Sequence, residues 1–280
     1  MILPLMLLGR VLLSVGASTF QKHLTRRDVG SAALWKATYG WMAFPACLML
    51  ALGLRGGVTS EFWWNAITAG VLDALGNFAM VAALRRTDLS VFGPLNGFRP
   101  VLALLFGSMF LSEMPTMLGA VGVGVTVVGT AMLLRDEESS NNGGNAWGIF
   151  GLRVTGLALS TFASVFLKRA TIAGGPELTL GIWIFCGLPV FWLWSWRQHA
   201  GSNDHRNLVI LHAAAFFLMQ WLTLYVFAAT LLAYSFAFFQ LGIVLQVLVG
   251  HWMFNEPHFR KRLACCALIC AGAALIAYGR

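Results

Sequence analysis

The sequence predicts an all-α membrane protein of ten transmembrane helices, arranged as two inverted five-helix repeats. Of its 280 residues, 58% are hydrophobic and only 11% are charged, whereas a soluble domain carries about 25% charged residues. Most of the outer surface must therefore face lipid. The net charge of +8 is explained by basic cytoplasmic loops, so we expect no nucleic-acid partner.

The ten spans are predicted from apolar runs, because a helix needs about 20 mostly apolar residues to cross the hydrocarbon core. Charged residues, glycines and prolines separate these runs, and the connections between them are short. One clearly polar connection, residues 135–145, lies at the middle of the chain. The predicted spans are 2–21, 33–53, 63–84, 89–111, 116–134, 147–167, 178–196, 208–229, 232–254 and 263–279.

An internal repeat divides the chain at this polar connection, into residues 1–140 and residues 141–280. A shift of 143 positions places Arg10 on Arg153 and aligns several glycine, amide and acidic positions as well. Because five helices is an odd number, the second half must enter the membrane from the opposite side. Inverted repeats of this kind underlie alternating access in many transporters, with the substrate site near the midplane between the halves.

Two ionisable residues are predicted deep in the membrane. An ionised side chain at the bilayer centre costs about 2.5–3.5 kcal/mol on insertion scales, so it usually lines a cavity or pairs with another group. Asp73 and Arg99 lie near the middles of the third and fourth spans, at similar depth, and each has an amide one turn away, Asn77 and Asn96. They form either part of a substrate site or a structural salt bridge. Asp73 is also the candidate for coupling to a proton.

Further candidate binding residues lie in the first and eighth spans and in the sixth. Arg10 and Arg153 could flank an anionic group of the cargo, or reach lipid headgroups without a role in transport. Gln220 repeats in the eighth span an amide of the third, and Trp221 and Tyr225 could form the wall of a pocket. The excess of basic over acidic residues in the spans favours a cargo with a carboxylate or phosphate.

No catalytic or metal-binding motif is found in the sequence. The five cysteines lie in apolar runs and form no CxxC pair; Cys266 and Cys270, one turn apart, are more typical of helix packing than of a metal site. A P-loop, HExxH and GxSxG are all missing from the sequence. We therefore expect no enzymatic activity, no cofactor and no metal, and we expect a small-molecule substrate and membrane lipid as partners.

Two motifs recur in both halves and indicate a family. The first helix of each half is rich in serine and threonine (GASTFQKHL and ALSTFASVFLKRA), and each fourth helix ends with an acidic residue followed by proline (FLSEMPT and MFNEPHF). In these features the chain resembles the drug/metabolite transporter superfamily, in its EamA-like ten-helix branch. The resemblance covers nearly the whole chain. It implies a transporter, mostly an exporter or exchanger, of amino acids, amines, sugars or related metabolites.

The sequence thus favours a secondary transporter of the inner (plasma) membrane that exports an amino-acid-like or anionic metabolite. The alternative is a flippase that moves a lipid-linked headgroup while the acyl chain stays in lipid. Two rules for orientation disagree. With Lys168 and Arg169 assigned to the loop after the sixth span, most basic residues fall in odd-numbered loops, so the positive-inside rule places both termini outside the cytoplasm. The family resemblance implies both termini inside.

Overall fold

The fold, as given by a computed structural model, is described for residues 2–25, 30–53, 57–84, 98–138, 146–195, 205–254 and 259–279. These ranges are helical almost throughout and contain no strand. The helices are α1 (Ile2–Thr25), α2 (Ser31–Gly53), α3 (Ser60–Leu84), α4 (Arg99–Leu111), α5 (Met117–Glu138), α6 (Ala146–Gly174), α7 (Pro176–Ser195), α8 (Arg206–Ala229), α9 (Leu232–Phe239), α10 (Leu241–Phe254) and α11 (Phe259–Tyr278).

The predicted all-helical membrane architecture is confirmed, since every predicted span overlaps a helix. The first part of the fourth span, residues 89–97, lies outside the described residues. Four helical stretches in the described ranges are long and apolar enough to cross a membrane by themselves. They are Ile2–Gln21, Pro176–Ser195, Arg206–Ala229 and Leu232–Val249.

Two helices differ from the prediction. The sixth continues to Gly174 rather than ending at residue 167, so Lys168 and Arg169 lie inside α6 and their assignment to a loop was wrong. The ninth span is divided into α9 and α10, which meet at Gln240. Both differences place polar groups within the helical bundle rather than in its connections.

Tight connections join the helices at one end of the bundle. Ser112, with the left-handed φ of 54°, ends α4, and Pro115 stands between it and α5. Gly175 alone separates α6 from α7, and its φ of 85° is readily adopted only by glycine. Pro176 then occupies the first position of α7, where an N–H would have no helical partner.

The outer surface is apolar, as expected of a protein in lipid. On several helices, large hydrophobic side chains that are more than one-third exposed recur every three or four residues, which places them on one face of the helix. In water a surface of this extent would drive association, whereas in lipid it is solvated. Such stripes include Ile2, Leu5, Leu8 and Leu12 on α1, and Trp64, Ile67, Val71 and Leu75 on α3.

Helices of residues 1–140 pack against helices of residues 141–280 through the centre of the bundle. The pairs are α1 with α8, α2 with α7, α3 with α6, α4 with α9, and α5 with α11. At the crossing of α3 and α6, a Cβ atom added to Gly76 would lie 2.8 Å from the carbonyl oxygen of Gly156. Small residues permit this close approach, and the polar side chains that follow on α6 are thereby held against α3 and α4.

Candidate functional site

A cavity, here called the central cavity, lies between the two halves of the chain. The first half contributes three ionisable side chains, Arg10 from α1, Asp73 from α3 and Arg99 from α4. The helices α6 to α9 supply the opposite wall. Their lining side chains include Ser160, Ser164, Trp183, Gln220, Thr223, Phe236 and Phe239. Four of the predicted binding residues, the three charges and Gln220, are thus brought to one site.

The carboxylate of Asp73 is held by two neutral donors. Its Oδ2 accepts a hydrogen bond of 2.9 Å from Trp183 Nε1 on α7 and one of 2.8 Å from Asn77 Nδ2, one turn along α3. Hydrogen bonds to an ionised acceptor are stronger than neutral ones. The donor from α7 and the donor from α3 together fix the carboxylate at the cavity wall.

The guanidinium of Arg99 is only partly satisfied. Its Nη2 donates to Ser160 Oγ on α6 at 3.0 Å and lies 3.8 Å from Met80 Sδ, and the group lies 5.9 Å from the ring centroid of Phe236. Its Nε is buried without a hydrogen-bond partner. Leaving a buried donor unsatisfied costs about 1–3 kcal/mol, so Arg99 retains donor capacity for the oxygen of a ligand.

Arg10 points into the protein rather than toward a membrane face. Its Nε donates to Thr223 Oγ1 on α8 at 3.2 Å, and its Cζ lies 3.5 Å from the ring centroid of Phe239. The aromatic face favours a cation at this position. The arginine side chain therefore crosses from the first half of the chain to the second.

The three charges influence one another across the cavity. Asp73 and Arg99 attract each other, and Arg10 and Arg99 repel each other. The hydrogen bonds of Asp73 nevertheless come from Trp183 and Asn77 rather than from Arg99. With two guanidinium groups and one carboxylate, the lining carries an excess of positive charge and suits a negatively charged group.

Among the residues that the structure describes, the other predicted residues do not line the central cavity. Asn96 is outside the described residues. Arg153 is buried in the first half of α6, with 5% of its surface exposed, and does not line the central cavity. Trp221 and Tyr225 donate to Glu177 Oε1 at 3.2 and 2.6 Å, so these two aromatic residues bind the first turn of α7 instead of forming a wall of the cavity.

Sequence reasoning missed the neutral partners Trp183 and Thr223. Trp183 is one of eleven tryptophans, and nothing in the sequence separates it from those expected at membrane interfaces. Thr223 carried a usable signal, because it lies three residues after Gln220 and therefore on the same helical face. A search for polar residues at helical spacing from each predicted amide would have found it.

A second polar cluster lies where α4, α6 and α8 approach their ends. Lys168 of α6 forms an ion pair with Glu113, which follows α4, and also donates to the carbonyl oxygen of Thr230. The backbone N–H of Leu232, at the start of α9, donates to Glu113 Oε2 at 2.6 Å. Beside this ion pair is a second cavity, here called the outer cavity. Its lining residues include Met114, Thr116, Lys168, Ala228, Thr230 and Tyr234.

An all-helical bundle with an apolar exterior and a charged cavity between its halves has the architecture of a membrane transporter. Residues 1–135 match the model of the EamA-like transporter family, a family of the drug/metabolite transporter superfamily. The resemblance to this family that the sequence motifs predict is therefore confirmed over residues 1–135.

Solved structures extend the likeness in fold to the whole chain. A crystal structure described only as that of a protein superposes with a TM-score of 0.73 at 17% sequence identity, over 98% of this chain and 96% of its own. At this identity the likeness shows the fold alone. A comparison with curated proteins finds no match.

Proposed function

We propose that this chain is a secondary transporter that exports a small polar metabolite, amino-acid-like or anionic, by alternating access. The observation that carries the proposal is the meeting of Arg10, Asp73 and Arg99 in the central cavity. Charged groups inside a membrane are costly and mark pathways for substrates and ions. Export, rather than uptake, follows from the family resemblance.

The charges of the cavity indicate the class of cargo. Arg10 and Arg99 offer planar sets of donors that suit a carboxylate or a phosphate, and the positive excess favours an acidic group. Asp73 offers an acceptor for an ammonium group. A cargo that carries both an acid and an amino group would use all three side chains, and an anionic cargo would use the two arginines.

The contacts across the cavity support alternating access as the mechanism. Asp73 of the first half is bonded to Trp183 of the second, and Arg99 of the first half to Ser160 of the second. A change in the relative position of the halves would alter these bonds together. Cargo binding and movement of the halves would thereby be coupled through the same side chains.

A thermal-shift screen of the purified protein tests the proposed binding site. Amino acids, polyamines, sugar phosphates and nucleotides are compared, and a compound with an acidic group is expected to raise the melting temperature by mass action. At a concentration of 100 Kd the stabilisation is about 2.7 kcal/mol. We expect Arg99→Gln to abolish this stabilisation, and Asp73→Asn to abolish it for a compound that also carries an amino group, whereas Arg153→Gln, which changes a buried arginine outside the cavity, retains it.

Transport is then measured in liposomes that contain the purified protein and a gradient of the stabilising compound. Flux that is lost in Arg99→Gln and kept in Arg153→Gln supports the proposal. Stabilisation that survives in both cavity variants, or a compound that binds without being moved, contradicts it. Stabilisation by polyprenyl phosphates alone would instead favour the flippase.

A further inference from the structure

Neighbouring residues on α6 and α8 line the central cavity and the outer cavity and form a layer between them. On α6, Leu167 lines the central cavity and the next residue, Lys168, lines the outer cavity; on α8, Phe227 and Ala228 divide in the same way. The outer cavity has a volume of about 440 Å³ and the central cavity about 50 Å³. A path from the outer cavity to the charges of the central cavity must therefore pass through this layer.

Lys168, which belongs to that layer, forms the ion pair with Glu113. The side chains of Lys168 and Glu113 are 9% and 10% exposed, and each makes a second bond, Lys168 to the carbonyl of Thr230 and Glu113 to the N–H of Leu232. The pair joins the first half of the chain to the second. Through these bonds the pair connects the end of α4, the last turns of α6, the end of α8 and the start of α9.

The pair has the chemistry of a barrier that an anion can open. Removing one member of a buried ion pair is strongly unfavourable unless another charge replaces it, so the closed arrangement is stable in the absence of a competing ion. Lys168 faces the outer cavity and can be reached by an anion there. Glu113, when released, keeps the N–H of Leu232 at the positive end of α9.

We propose that the Glu113–Lys168 ion pair is the gate between the outer and central cavities, and that an anionic group opens it by taking the place of Glu113 on Lys168. This inference rests on the proposed transport function for its physiological role. The ion pair would then act on the cargo before the central charges do. Lys168 is thus assigned as a cargo-contacting residue that helps to select for acidic groups.

Thiol labelling in proteoliposomes tests the gate without knowledge of the cargo. The reporter is Ser164→Cys, in the central cavity and one turn from Lys168, in a protein whose native cysteines are replaced by serine or alanine. Met114→Cys, at a residue that is 78% exposed, reports arrival at the outer cavity. The side from which a membrane-impermeant reagent labels Met114→Cys defines the outer-cavity side. From that side, Ser164→Cys is expected to react slowly while the ion pair is intact.

Glu113→Gln and Lys168→Gln are each expected to raise the labelling rate of Ser164→Cys by about tenfold or more, because a lone buried charge does not hold the layer closed. Lys168→Arg, which keeps the positive charge and the donors to Glu113 and to the carbonyl of Thr230, is expected to keep the labelling slow even if one single variant folds poorly. Glu177→Gln is the matched control, since this carboxylate lies outside both cavities and is bonded to two aromatic residues. It should leave the rate unchanged.

Inorganic phosphate, compared with chloride at equal ionic strength, tests the opening by an anion. Phosphate on the outer-cavity side is expected to speed the labelling of Ser164→Cys, and Lys168→Gln is expected to remove this dependence. An unchanged rate in both single variants, an equal rise in Glu177→Gln, or phosphate acceleration that is lacking or independent of Lys168 would overturn the proposal. If these labelling results hold and no cargo is moved, the gate stands and the proposed transport function fails.

Discussion

At the scale of single residues, the charges of the central cavity are held by neutral groups. Asp73 is bound by the indole of Trp183, and Arg99 by the hydroxyl of Ser160. Neutral dipoles fix the position of the charge and leave its attraction for an ionic ligand in place.

The indole of Trp183 can be tested by Trp183→Phe, which retains an aromatic ring and removes the N–H donor. Since a hydrogen bond to a charged group contributes about 1.5–3 kcal/mol, we expect a loss of that size in the free energy of unfolding, measured by denaturation in detergent. Trp64→Phe is the control, because Trp64 is 72% exposed toward lipid. Equal effects of the two substitutions would contradict the role given to Trp183.

How far the sequence predicts the site depends on how rare each residue type is in a span. Arg10, Asp73 and Arg99 were recognised because charges in apolar runs are few. Arg153 had the same sequence signal, yet it lies two turns into α6, before the turns that carry the cavity-lining serines. The central cavity depends on which turns of packed helices face each other, and this tertiary relation is not encoded in any one span.

At the scale of helices, span positions were predictable because an apolar run is a local property. The break at Gln240 was not, because residues 232–254 are apolar on both sides and contain no proline. The continuation of α6 past residue 167 was also missed. The positive charge of Lys168 is compensated by Glu113, 55 positions away in the sequence, and a contact of that range is not visible in a hydropathy pattern.

Helix packing in the described bundle depends on glycines at particular crossings. A Cβ added to Gly122 of α5 would lie 2.8 Å from the carbonyl oxygen of Gly272 and 2.9 Å from the backbone nitrogen of Ile276, both in α11. Gly124, two residues further along α5, has nothing within 4 Å. Both glycines therefore lie inside α5, but only Gly122 is packed against another helix.

Gly122→Ala is expected to destabilise the protein, because α5 and α11 must move apart to admit the methyl group. Overpacking of this kind typically costs about 1–3 kcal/mol, and it would appear as a lower melting temperature in detergent. Gly124→Ala, the matched control, is expected to be neutral or slightly stabilising, since alanine favours helix more than glycine does. A similar loss in both variants would show that packing against α11 is not the cause.

At the scale of the whole molecule, the helix pairs follow a regular pattern. In the repeat, α1 corresponds to α6 and α3 to α8, so the contact of α1 with α8 has its counterpart in the contact of α6 with α3. The contacts of α2 with α7 and of α5 with α11 each join two corresponding helices. Pro45 in α2 and Pro189 in α7 occupy corresponding helices. This pattern supports the inverted repeat, which stays a prediction.

The ten crossings that the sequence predicts, an even number, would place both termini on the same side of the membrane. Fusion of a reporter that is active on one side only to either end of the chain should therefore give the same result twice. Opposite results would mean an odd number of spans. The side itself decides between the two orientation rules, and the location of Lys168 and Arg169 within α6 increases the excess of basic residues in the odd-numbered connections.

Gly175 restricts how the second half can rearrange. Consecutive Cα atoms are about 3.8 Å apart, so a single connecting residue keeps the end of α6 within about 7 Å of the start of α7. The two helices can move apart only at the end of the bundle away from Gly175, and beside Gly175 they stay together. Ser160 on α6 binds Arg99, and Trp183 on α7 binds Asp73. A movement of α6 away from α7 would therefore pull these two opposite charges apart.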